Sequence, residues 1–111
     1  MSDFATRTTE SGVVVVHPTG RLNMTASPGL RKQLSDIVEG GGNRIVVDLS
    51  ATEFIDSSGL GALIASLKLA REAGGDLRLA APSQQVCTVL GLSNLDQLLR
   101  AYDSADSAFD E

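Results

Sequence analysis

Residues 44–49, "RIVVDL", constrain the fold more than any other stretch. The run is nearly all apolar, β-branched and of strand length, so it has no polar face to give to water. It reads as a strand covered on both sides, the central strand of an α/β sheet. Such a strand needs neighbours. "GVVVVHP" (12–18) supplies one, a β-branched run ended by Pro18. "DLRLAAP" (76–82) supplies another, with Leu77 and Leu79 alternating with Asp76 and Arg78 before Pro82. Phe4 to Thr8 reads as a weak edge strand, turned back at Glu10-Ser11-Gly12.

The segments between these strands carry helical spacing. Ser27 followed by Pro28 reads as a cap and a first-turn proline. Leu30, Leu34, Ile37 and Val38 then share one face, and Gly40 to Gly42 stop the helix. Leu60, Leu63, Ile64, Leu67 and Ala70 repeat the pattern up to Gly74 and Gly75. Ser83 caps a short helix carrying Val86, Val89 and Leu90, closed by Gly91. The last segment (95–111) admits two readings: an edge strand over Leu98 to Tyr102 with Ser104 capping a terminal helix, or one continuous helix. Parallel neighbours need crossover helices, so the alternation specifies an α/β layer with a mostly parallel sheet, made mixed by the N-terminal hairpin. At 111 residues the chain is expected to form a single domain over 1–111.

Composition narrows the function. Aromatic residues are 4% of the chain, so the core is aliphatic. The net charge of -5, with no basic patch in sequence, argues against a nucleic-acid partner. The single cysteine, Cys87, allows no intrachain disulfide and reads as a small core residue. "MSDFATRTTE" has no apolar core, so no secretory signal is expected there. No apolar run approaches the roughly 20 residues of a membrane span. The expected setting is cytoplasmic, with no membrane partner.

The chemistry concentrates in "FIDSSGLGAL" (54–63), at the carboxyl end of the central strand, where open α/β sheets meet ligands and partners. Ser57 reads as an N-cap, and Asp56 with Ser57 could be capping residues only. Gly59 and Gly61 fall in the first turn of a helix, where each glycine costs about 0.5–1 kcal/mol relative to alanine. Either a second surface approaches the backbone there, or the helix packs unusually close to the sheet. A phosphate on Ser57 would add a charge of about -1.5 to -2. The helix N-terminus tolerates an anion, while Asp56 opposes it.

Other chemistries fail on the residues. The Rossmann fingerprint lacks its third glycine, since Ile64 stands there. A P-loop needs lysine, and a hydrolase elbow needs G-x-S-x-G; neither occurs. His17, the only histidine, reads as a strand-end residue. No His/Cys cluster has metal-ligand spacing, and no cofactor is expected. An enzyme using Ser57 as nucleophile lacks a general base.

Most of the chain, from about Gly12 to Phe109, resembles the anti-anti-sigma factor branch of the STAS domain family. The resemblance rests on "DLS" (48–50), the "FIDSSGLGAL" loop and helix, "GGDLRLAAPS" (74–83) and "LGLSNL" (90–95). Upstream, "PTGRLNMTASPGLRKQL" (18–34) is similar to the family's GxLD strand end and first helix. The resemblance implies an α/β fold with a small mixed, mostly parallel sheet of four to five strands and helices packed mainly on one side. It implies a regulatory, non-enzymatic role as an anti-sigma factor antagonist. The unmodified protein would bind an anti-sigma factor that is also a serine-protein kinase, so releasing a sigma factor. Phosphorylation of Ser57 would end binding, and a PP2C-type phosphatase would reset it. Asn23, Asp56, Ser57, Ser58, Gly59, Leu60 and Gly61 are the partner-binding residues it implies. Asn23 stands where many members carry aspartate, a position near the phosphorylated serine in the family. A second reading is a STAS subunit of a lipid-transport or stress-signalling complex, without Ser57 phosphorylation.

Overall fold

The computed structural model describes residues 4–104 together with Ala108 and Phe109. Strands β1 (Ala5–Thr8), β2 (Val14–His17), β4 (Arg44–Asp48), β6 (Asp76–Ala80) and β7 (Ala101–Tyr102) form one sheet in the order β1-β2-β4-β6-β7. Only β1 runs antiparallel to its neighbour. A separate two-stranded parallel ladder joins β3 (Gly20–Leu22) to β5 (Thr52–Ile55). Helices α1 (Ser27–Glu39), α2 (Ser57–Glu72) and α3 (Gln84–Leu92) make the crossovers.

The strand at 44–48 is central, and its alternation is resolved into two cores. Val16, Ile45, Val47, Leu77 and Leu79 face the helices, meeting Leu30 and Leu34 of α1, Leu63 and Leu67 of α2, and Val86 and Leu90 of α3. Val13, Val15, Val46 and Ala80 form a smaller cluster on the other face, closed by Ala108 with Tyr102 and Phe109 packed against it. Arg78 holds that closure: its Nη1 donates to the Ala108 carbonyl at 2.7 Å, and its guanidinium lies 4.2 Å from the Phe109 ring centre. All three helices thus share one side of the sheet.

Several local expectations are corrected. Ser27 is not a cap: Ala26 takes the N-cap position of α1 without a side-chain bond, and Ser27 is the buried first helical residue. Its hydroxyl donates backwards to the Asn23 carbonyl at 2.6 Å. Ser83 does cap α3, accepting the Val86 N–H, but Gly91 lies inside that helix, which continues to Leu92. Cys87 is exposed, not core, because the buried face of α3 is set by Val86 and Leu90 and the next residue is turned about 100° away. Past α3 the chain makes a 3-10 turn at Leu95–Gln97, closed by Leu98, and then β7, so the expected strand over Leu98 to Tyr102 is present only as Ala101–Tyr102. The helix expected after Ser104 falls mostly outside the described residues.

Candidate functional site

The DSSG segment does not leave the central strand directly. The chain first makes β5, a strand too short to show in sequence, and only then turns into α2. In the β3–β5 register Leu22 stands opposite Ile55, which sets Asn23 beside Asp56 where both strands end. Two helix starts are therefore built side by side, α1 after Asn23 and α2 after Asp56.

Asp56, not Ser57, is the N-cap of α2. Its Oδ1 accepts the Ser58 and Gly59 N–H groups at 2.9 and 3.1 Å, and its carbonyl accepts the Leu60 N–H at 3.0 Å. An ionised cap satisfies two orphan donors and complements the helix dipole. Ser57 becomes the exposed first residue of the helix, so its hydroxyl is not needed to cap it. Ser58, one position on, is half-buried.

The two glycines answer different needs. Gly59 is buried, and a Cβ on it would lie 2.6 Å from both the Leu22 carbonyl oxygen and Ile55 Cγ1. Its role is close internal packing of α2 on the β3–β5 ladder. Gly61 is exposed, and a Cβ there would meet nothing within 4 Å. Leu60, between them, is 5% exposed and belongs to the main core. Of the residues singled out in sequence, Ser57 and Gly61 are exposed, Asn23, Asp56 and Ser58 are partly covered, and Gly59 and Leu60 support from below.

Asn23 is committed to its own loop. Its Oδ1 accepts the Thr25 and Ala26 N–H groups, each at 3.1 Å, which shapes the turn into α1. Next to it Met24 is 75% exposed. Met24, Pro28 and Arg31 on one side and Ser58, Gly61 and Ala62 on the other line a shallow depression of about 300 Å³.

A third element fixes the site from behind. Gln85 of α3 accepts the Ile55 N–H at 3.0 Å and donates to the Ile55 carbonyl at 3.1 Å. This side chain takes the place of a neighbouring strand along the outer edge of β5. On the inner side the Asp56 N–H reaches the Leu22 carbonyl at 3.2 Å. The residue before the cap and the cap itself are thus held from both sides. Gln85 and Met24 carry no local sequence signal: the contact of Gln85 spans thirty positions. His17 sits at its strand end, with Nδ1 3.3 Å from Asp48 Oδ2. Among the described residues no three His, Cys, Asp or Glu side chains gather to hold a metal, and no helix is long and apolar enough to cross a membrane.

A sequence model of the STAS domain matches residues 5–108. The chain belongs to the STAS domain family. This STAS domain is 35% identical over 100 residues to a Thermotoga maritima protein that carries the provisional name anti-sigma factor antagonist, covering 89% of this chain and 88% of that one. The crystal structure of the Thermotoga maritima protein superposes with a TM-score of 0.89 at 32% identity, over 96% of this chain and 92% of the other. The anti-sigma F factor antagonist of Paenibacillus polymyxa is 30% identical over 101 residues, 90% of this chain and 86% of its own. An anti-sigma factor antagonist from Mycobacterium paratuberculosis matches with a TM-score of 0.85 at 27% identity, over 96% and 90% of the two chains. Such STAS proteins are regulatory binding proteins, not enzymes.

Proposed function

We propose that this STAS domain is an anti-sigma factor antagonist whose docking face is the end of the molecule where α1 and α2 begin. The unmodified form binds an anti-sigma factor with serine-protein kinase activity and so frees a sigma factor. The kinase phosphorylates Ser57, binding ends, and a PP2C-type phosphatase restores the hydroxyl.

The observation that carries this reading is the division of labour between Asp56 and Ser57. Asp56 caps the helix, so the exposed Ser57 hydroxyl is available to a kinase and its modification leaves the cap bonds in place. A phosphate there adds roughly two negative charges beside the Asp56 carboxylate. At a docked interface that charge is desolvated without a partner. Excluding the modified form a hundredfold requires only about 2.7 kcal/mol. Asn23, the residue after the Leu22–Ile55 pair, contributes no second carboxylate to oppose the phosphate. The unmodified state is therefore easier to phosphorylate than it would be with aspartate at this position.

The test joins chemistry and binding. Incubation with the anti-sigma factor of the same organism and ATP is expected to add one phosphate, mapped to Ser57. Ser57→Ala is expected to bind that protein as wild type does, and Ser57→Asp at least tenfold more weakly, with both retaining the wild-type unfolding profile. Equal binding by all three forms overturns the reading.

A further inference from the structure

We propose that the docking face continues beyond Ser57 along the groove between α1 and α2, and that it receives an acidic amphipathic helix of the anti-sigma factor. This rests on the antagonist reading above but assigns residues that reading does not use. The depression beside Ser58 adjoins a second of about 450 Å³, and the two share Arg31 and Gly61. Ile64, Ala65, Lys68, Leu69 and, at its far end, Glu72 carry the second one down α2. From Ser58 to Leu69 the helix rises about 16 Å, room for three turns of a partner helix.

Two independent observations say what fits. First, Gly61 has no internal reason to be glycine. It lies in a helix, where alanine is better by up to about 1 kcal/mol, and a methyl group would stand in open space. Gly29 and Gly91 are open in the same way, but of the three only Gly61 lines both depressions, where a bare backbone admits the close approach of another chain. Second, the groove carries two cations, Arg31 and Lys68, against one carboxylate, Glu72, in a chain that is acidic as a whole. The chain has 14 acidic residues against 9 Lys and Arg, yet neither Arg31 nor Lys68 has an ion-pair partner among the described residues. By contrast Lys32 is paired with Asp36, and Arg71 and Arg78 with Asp76. An apolar floor between two unpaired cations matches a helix with apolar residues on one face and Glu or Asp along its flanks. Met24 at the upper end supplies an adaptable apolar contact.

The test titrates the anti-sigma factor of the same organism into wild type, Arg31→Glu with Lys68→Glu, Arg31→Gln with Lys68→Gln, and Gly61→Ala. The charge-reversed pair is expected to bind at least tenfold more weakly and the neutral pair to fall between. Wild-type affinity is expected to drop as salt rises, with a shallower slope in the neutral pair. Gly61→Ala is expected to melt higher than wild type and yet bind more weakly. Wild-type affinity in both charge variants, with Ser57→Asp still defective, overturns the groove and leaves the antagonist reading standing. No binding by wild type overturns both.

Discussion

Substituting alanine for Gly59 and for Gly61 should move stability in opposite directions, although the two residues are one position apart from being neighbours. At Gly61 the new methyl group meets nothing within 4 Å, so only the backbone term changes, a gain of up to about 1 kcal/mol. At Gly59 the same gain is available but the methyl carbon would sit 2.6 Å from the Leu22 carbonyl oxygen and from Ile55 Cγ1, and 3.1 Å from Leu22 Cβ. Ordinary carbon contacts are about 3.5–4.0 Å, so room must be made by roughly 1 Å. Leu22 and Ile55 are fully buried, and the Leu22 carbonyl also accepts the Asp56 N–H. Nothing near is a flexible side-chain end. Overpacking of this kind costs about 1–3 kcal/mol. Weakening the Asp56–Leu22 bond adds up to about 1 kcal/mol. Set against the propensity gain, the net loss is about 2 kcal/mol. The two variants should differ by about 3 kcal/mol, or more than about 10 °C in Tm for a domain of this size. Thermal melts followed by far-UV circular dichroism measure this directly. A Gly59→Ala variant that melts at or above wild type refutes the packing argument.

Further variants test the other supports of the site. Asp56→Ala removes both cap bonds and should lower stability by about 1–2 kcal/mol in urea titration, whereas Ser57→Ala should change it by less than about 0.5 kcal/mol. Gln85→Met leaves the Ile55 N–H and carbonyl without their partner; a loss of about 1–3 kcal/mol and faster hydrogen exchange at the Ile55 amide are expected, and unchanged exchange there contradicts the bracing role. Cys87 should react stoichiometrically with a thiol reagent in the folded protein, because it lies on the open side of α3; protection until denaturant is added would place it in the core after all.

The main sheet was legible because its strands advertise themselves. Ile45, Val46 and Val47 are all fully buried, which a continuous apolar run requires, and the order of helices and strands then leaves few topologies. The β3–β5 ladder was not legible. Gly20–Leu22 and Thr52–Ile55 lack the β-branched apolar run that marks Val14–His17, a strand no longer than β5, so they do not stand out from a loop. Two of the three serine caps were misplaced. At α2 the sequence offered two neighbouring cap residues, and Asp56 serves instead of Ser57. At α1 the helix starts after Ala26, with no side-chain cap, because Asn23 already binds the Thr25 and Ala26 N–H groups of the loop before it. The doubt over Gly59 and Gly61 could be resolved only in space, because what separates them is the position of the Leu22 carbonyl, far upstream in the chain.

The β3–β5 ladder lies outside the hydrogen-bonded order of the five-stranded sheet. Its local opening therefore need not break any rung between β1 and β7. The two helix mouths are fastened to this small annex, whose Leu22 and Ile55 reach into the main core from its edge. Selection can reshape what this end presents, through the exposed Met24, Ser57 or Gly61, without touching the buried residues of the large sheet. A scaffold arranged this way can change its associates over evolutionary time while its own folding stays the same.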